Sequence, residues 1–273
     1  MWETNRLLAC PGPAKASAGT AEAKGVRTTD RLVLYVTALE RSRVSSATPD
    51  SAVPKVANQS VRTDRTFARS PRRLPRHIGF IPDGNRRWAE AQGLAKEEGY
   101  AHGIGPGLAL FEECERLGIE EVSVYGFTQD NTRRPSVQAD RFRDACASFG
   151  QEIARRGAAL RVVGDTTSRQ FPEPLLPFAA GRQGVGIKVN FLVNYGWEWD
   201  LEGLRGGAIR SAEVSRIDLI VRWGGGRRLS GFLPVQSVYA DIFVVDAWWP
   251  DFSTEHVADA LTWFAQQDRT LGG

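Results

Sequence analysis

His77-Ile-Gly-Phe-Ile-Pro-Asp-Gly-Asn-Arg-Arg-Trp-Ala89 is the stretch around which the chain is organised. Ile78, Phe80 and Ile81 form an apolar run of the kind a buried strand needs. Pro82-Asp-Gly-Asn85 is rich in turn residues, and a helix can start at Arg86. A carboxylate, loosened backbone N–H groups and two guanidinium groups thus meet at one strand-to-helix junction, a place where anions bind. Asp83 alone would repel an anion. A Mg²⁺ ion between them removes the conflict, because it takes one or two carboxylates together with phosphate oxygens. Two readings stay open at this point: a metal and a phosphorylated ligand, or a helix cap with Asp83 at the N-cap and solvated arginines.

The chain has 273 residues, 42% of them hydrophobic, enough for one large domain with a full core. No run of about 18 apolar residues exists, so no transmembrane segment is expected. The three cysteines, Cys10, Cys114 and Cys146, show no metal-ligand spacing and fit a reducing, cytoplasmic setting. His77, His102 and His256 form no local cluster, which argues against a zinc enzyme. The net charge of +3 belongs to the N-terminal part: residues 1–76 carry 14 Lys and Arg against 6 Asp and Glu. With that excess confined there, and with no interleaved aromatic and basic stripe, no nucleic acid partner is expected.

Residues 1–74 read as a disordered N-terminal extension rich in Ala, Ser, Thr, Arg and Pro, with only residues 31–39 apolar enough to order. Residues 75–273 read as one α/β domain. Strands are expected over 77–81, 121–127, 160–163, 187–193, 217–221 and 242–245. Helices are expected over 86–92, 105–117, 137–156, 197–213, 233–239 and 255–267. This alternation predicts a central parallel β-sheet surrounded by helices, its ligand beyond the carboxyl ends of the strands. Asp83, the polar run Thr128, Gln129, Asp130, Asn131, Arg133 and Arg134, and the loop from Arg222 to Ser230 all follow a strand, so they should gather on one edge. In that loop Gly224, Gly225 and Gly226 let the backbone approach a ligand closely. Arg222, Arg227 and Arg228 supply forked donors suited to diphosphate oxygens. Neither a nucleotide P-loop nor a GxGxxG fingerprint is present. Asp241, just before an apolar strand, is a candidate second Mg²⁺ ligand. Asp251 is expected to cap the last helix, with Ser253 or Thr254 as competitors.

Together, 77–89, Tyr125-Gly-Phe-Thr-Gln-Asp-Asn-Thr-Arg-Arg-Pro135, Asn194-Tyr-Gly196, Asp218-Leu-Ile-Val-Arg222 with Arg228-Leu-Ser230, and Trp249-Pro-Asp-Phe252 resemble the cis-prenyltransferases, the undecaprenyl diphosphate synthase-like enzymes. The resemblance covers about residues 75–272. It implies a homodimer with a hydrophobic tunnel, and a Mg²⁺-dependent transfer joining an allylic prenyl diphosphate to isopentenyl diphosphate with a Z double bond. By matching position it implies that Asp83 holds Mg²⁺ and that Gly84, Asn85, Arg86 and Arg87 line the allylic diphosphate, with Trp88 beside it and Lys96 as a further basic ligand. It also implies that Asn131 accepts a proton, that Arg222, Arg228 and Ser230, with Leu229 between them, form the isopentenyl diphosphate site, and that Asp241 completes metal binding. Thr128, Gln129, Asp130 and Arg134 are carried over as substrate-binding residues.

The chain departs from the family pattern at several points. Tyr100 stands where a His is usual, in Gly99-Tyr-Ala-His-Gly103. Thr132 replaces a Trp, Trp223 a small residue, Gly226 an acidic one and Gly231 an Asn. The segment between Asp200 and Asp218 is short and the 137–156 tunnel wall reads as brief, which suggests a short product. Gly126 suggests the opposite, since a small residue leaves tunnel space open. Two alternatives are carried: an irregular prenyl diphosphate synthase or terpene cyclase that ionises an allylic diphosphate, and a non-catalytic prenyltransferase subunit.

Overall fold

The computed structural model describes residues 74–268. The expectations for an N-terminal extension and for residues 31–39 lie outside this range. Six strands form one parallel sheet: β1 (His77–Ile81), β2 (Glu121–Tyr125), β3 (Ala159–Val163), β4 (Lys188–Leu192), β5 (Leu219–Arg222) and β6 (Asp241–Val244). Their order is β3-β4-β2-β1-β5-β6, with every pairing parallel. The expected α/β architecture is therefore the one found.

The two-residue period of a strand sorts the side chains of β1. Ile78 and Phe80 face a core made with Val122, Phe191, Leu110, Phe149 and Val257. Ile81 faces a second core with Leu192, Ile220 and Phe232. Gly79 lies on that second face, where a Cβ would come within 2.5 Å of the Phe232 ring. The first face is covered by α3 (Ile104–Leu117), α4 (Ser136–Arg155) and α7 (Thr254–Phe264). Shorter helices are α1 (Asn85–Ala91), α2 (Gly99–His102), α5 (Leu176–Ala180) and α6 (Trp197–Glu202).

Three expectations on elements are corrected. Helix α6 stops at Glu202, continues as a 3-10 turn to Gly206 and is broken by Gly207 at φ 100°. Residues 233–239 form turns rather than a helix, entered through positive φ at Gly231 (78°) and Leu233 (36°). The tunnel wall α4 runs 20 residues, the length expected for it. Ser253, not Asp251, caps α7, its side chain accepting from the Glu255 N–H at 3.2 Å.

Candidate active site

Asp83 follows β1 through Pro82. Its backbone is fixed at both ends: its N–H donates to the Ile81 carbonyl at 3.0 Å, and its carbonyl accepts from the Trp249 N–H at 3.0 Å. Gly84 has φ 111° and lies against Trp248, so closely that a Cβ would meet that ring at 2.8 Å. Only glycine fits there. Gly84 is also the N-cap of α1, which has no side-chain cap. The cap reading of Asp83 thereby falls away, and its carboxylate is free for other partners.

Those partners are arginines. Arg222, the buried last residue of β5, donates from Nη2 to Asp83 Oδ2 at 2.9 Å and from Nη1 to Ser230 Oγ at 2.9 Å. Its Nη1 also donates to the Arg228 carbonyl at 2.5 Å, while its Nε is buried without a partner. Arg87, one helical turn after Asp83, brings Nη2 to 3.4 Å from Oδ1 and donates from Nη1 to the Gly224 carbonyl at 3.1 Å. Asp83, Arg87, Gly224, Gly225, Gly226 and Arg228 line an open pocket of about 520 Å³. Arg86 is half-buried and makes no ion pair among the described residues, and Leu229 packs against the second core.

Below the first face an apolar tunnel of about 70 Å³ runs between the sheet and α3 and α4. Pro82, Asn85 and Tyr100 stand among its lining residues; Phe111, Phe149, Ile153 and Phe191 form much of its wall. Asn85 Oδ1 is buried there without a partner. The Tyr100 ring stacks on Phe142 at 4.5 Å, and its hydroxyl accepts from Arg134 Nη1 at 2.7 Å. His102 points elsewhere, onto the Trp88 ring at 4.7 Å. Gly126 opens no space: a Cβ there would meet Phe191 at 2.7 Å, because that ring already fills the volume. Burial raises the Cys114 thiol and holds Cys146 at about 12, so neither tunnel cysteine is a thiolate nucleophile.

The remaining expected residues divide. Thr128, Gln129 and Asp130 face a separate polar pocket of about 480 Å³ with Trp197 and Glu198. Tyr125 lines both this pocket and the tunnel, and its hydroxyl donates to the Ser230 carbonyl at 2.8 Å. Asn131 Oδ1 accepts from the Thr128 N–H at 3.0 Å and closes a 3-10 turn. Trp88 Nε1 donates to Asp251 Oδ1 at 2.7 Å. Lys96 pairs with Glu90 at 2.9 Å rather than with the Asp83 cluster.

Asp241 is a correction. It opens β6 opposite Leu219, whereas Asp83 follows β1 at the end where Ile81, Arg222 and Val244 are level. A residue that precedes a parallel strand lies at the amino edge, so within one chain Asp241 cannot share an ion with Asp83. The carboxylate on the site's edge is Asp246, whose Oδ1 lies 3.4 Å from a Cβ built on Gly225. It follows its strand as Asp83 follows β1, and that position is the sequence signal that marks it.

An apolar tunnel beside a strand-end carboxylate and arginine cluster suits a ligand with an apolar tail and an anionic head. The chain belongs to the cis-prenyltransferase family: the prenyltransferase model described as undecaprenyl diphosphate synthase matches residues 81–211 and 204–272. It is 30% identical over 227 residues to the ditrans,polycis-undecaprenyl-diphosphate synthase ((2E,6E)-farnesyl-diphosphate specific) of Escherichia coli, covering 72% of this chain and 90% of that protein. The same-named enzyme of Aliivibrio fischeri is 28% identical over 228 residues, covering 73% and 89%. In fold the chain is similar to lavandulyl diphosphate synthase from Lavandula x intermedia in complex with dimethylallyl diphosphate. The TM-score is 0.63 at 21% identity, over 73% of this chain and 99% of that one. The protein is thus an enzyme that transfers prenyl groups in isoprenoid biosynthesis.

Proposed function

We propose that this enzyme condenses an allylic prenyl diphosphate with isopentenyl diphosphate, in a Mg²⁺-dependent reaction, to give a short Z-prenyl diphosphate. The observation that carries this reading is the Asp83 carboxylate, set between Arg87 and Arg222 and adjoining a narrow apolar tunnel. The donor set fits Mg²⁺: one half-exposed carboxylate beside cations that can hold the diphosphate supplying the other oxygens. Bound there by Asp83, the ion would neutralise charge on the leaving diphosphate. Arg86, Arg87 and the Gly224–Gly226 backbone hold the allylic diphosphate in this reading, and Arg228 and Ser230 the second one. Phe111, Phe149 and Phe191 enclose the tail and keep water from the allylic cation. The narrowness of this enclosure supports a short product.

A second reading has one observation in its favour. Arg222, the centre of the second-diphosphate cluster, is turned onto Asp83. An enzyme that uses an allylic diphosphate in both positions, or cyclises one, would tolerate that. Incubation with Mg²⁺ and five- to twenty-carbon allylic diphosphates, with and without isopentenyl diphosphate, separates the two by mass spectrometry. Products that form without isopentenyl diphosphate defeat the first reading.

We also infer a homodimer. Edge strand β6 and the turns before it expose Val235, Val238, Tyr239 and Ile242 side by side in sequence, a face suited to a second copy. No helix among the described residues is long and apolar enough to cross a membrane. The free, buried thiols of Cys114 and Cys146 fit a reducing cytoplasm.

A further inference from the structure

Two glycines of the 224–226 triplet are explained by their backbone. Gly224 and Gly225 have φ of 79° and 73°. Gly226 is not among the positive-φ residues, so no turn requires it. What occupies the place of its side chain is Arg222: a Cβ on Gly226 would lie 2.7 Å from Arg222 Nε and 2.9 Å from Cζ and Nη2.

Arg222 is fixed at its base by β5, and its buried guanidinium has few directions open to it. It takes the one through the Gly226 space, toward Asp83. In that direction Nη2 takes Asp83 Oδ2 and Nη1 takes Ser230 Oγ and the Arg228 carbonyl, while Nε is left without a partner. Arg87 stands at the other oxygen, and each oxygen of the Asp83 carboxylate then faces a cation. An acidic side chain at 226, which the family pattern carries, would both fill the space and compete for Arg222. Glycine leaves the room and the cation to Asp83.

We propose that Gly226 is a positioning residue whose missing side chain lets Arg222 clasp Asp83, shielding that carboxylate from a divalent cation until a diphosphate takes the arginines over. The inference rests on the reading of Asp83 as the metal carboxylate. Its consequence is that cation and diphosphate bind as a unit, each raising the affinity for the other by the same factor.

The test is a titration of the full-length protein with Mn²⁺, the unbound ion being counted by electron paramagnetic resonance. Wild type, Gly226→Ala and Gly226→Glu are each titrated with and without inorganic pyrophosphate, after correction for Mn²⁺ held by free pyrophosphate. Gly226 has no left-handed φ that would strain a side chain, and the atoms nearest an added Cβ belong to the Arg222 guanidinium, whose shift off Asp83 is the effect under test; a melting curve of each variant checks that it folds. A cation within a few ångströms of the metal makes a large repulsive difference, so both variants should bind Mn²⁺ alone at least about tenfold more tightly than wild type. Pyrophosphate should raise the wild-type affinity by at least about tenfold and the variants' affinity by less. A merely structural role for Gly226 would give loss rather than gain. The inference is overturned if wild type binds Mn²⁺ alone as tightly as the variants, or if pyrophosphate leaves its affinity unchanged. If none of the three holds Mn²⁺ even with pyrophosphate, the metal reading of Asp83 falls as well.

Discussion

Asp83 is flanked by two guanidinium groups of unlike freedom: the Arg222 side chain is 4% exposed and that of Arg87 49%. The first is buried at the end of β5, the second stands half in solvent. Asp83→Asn keeps the shape and removes the charge. It should lower kcat/KM by about 10²-fold or more, with the melting temperature little changed; near wild-type turnover would show that the carboxylate is not needed. Two histidines give the pH response. His256 Nδ1 accepts from Trp223 Nε1 at 3.3 Å and from the Ser253 N–H at 3.1 Å, and His77 lies buried between Ser123 Oγ at 2.8 Å and the Ser215 carbonyl at 3.0 Å. Burial lowers both pKa values below the ordinary histidine value, so the folded state holds them neutral. The unfolded chain then binds more protons as pH falls. Stability should be fully present above the unfolded histidine pKa of about 6.5 and decline as pH drops below it. Melting curves from pH 8 to pH 5 check this, and a melting point that rises on acidification would contradict it.

At the scale of elements, α4 and β4 set the tunnel. Phe149 meets Phe191 edge-on at 5.2 Å, and Gly107 leaves room for the Phe149 ring, which a Cβ would approach to 2.8 Å. Phe149→Ala should lengthen the product by about one five-carbon unit, because the cavity gained adjoins existing tunnel space; an unchanged product distribution would place the chain-length limit elsewhere. Strand ends were legible in the sequence because an apolar run followed by a polar cluster reports both the strand and its carboxyl edge. Asp83, Arg222 and Ser230 were found that way. The same rule separates Asp241, which opens its strand at the amino edge, from Asp246, which follows that strand at the carboxyl edge. Residues 233–239 read as a helix from their spacing, but the left-handed φ of Leu233 leaves no sequence signal in a leucine. The direction of Arg222 is set by contacts 139 positions apart in the chain, and no local pattern encodes it.

At the scale of the molecule, β6 is an edge strand of the sheet among the described residues, an arrangement that invites association. Replacing Val238 and Ile242 together by Asp should convert a dimer to a monomer in analytical ultracentrifugation, since both are exposed and neither supports the core. A dimer unchanged by the pair would locate the interface on another face. The parallel sheet and the convergence of its loops were readable from alternation alone. The tunnel's narrowness was not, because it depends on rings from separate helices and strands meeting in one volume.

The loop that presents Asp83 is shaped by residues far downstream. Trp248 presses on Gly84, the Trp249 N–H holds the Asp83 carbonyl, and Asp251 takes the Trp88 indole. A ribosome making this chain emits the carboxylate loop early and its clamp some 165 positions later. Until that clamp emerges, the nascent chain has the residues of the site without its shape, and a translation product that stops before Trp248 would be unable to ionise a prenyl diphosphate.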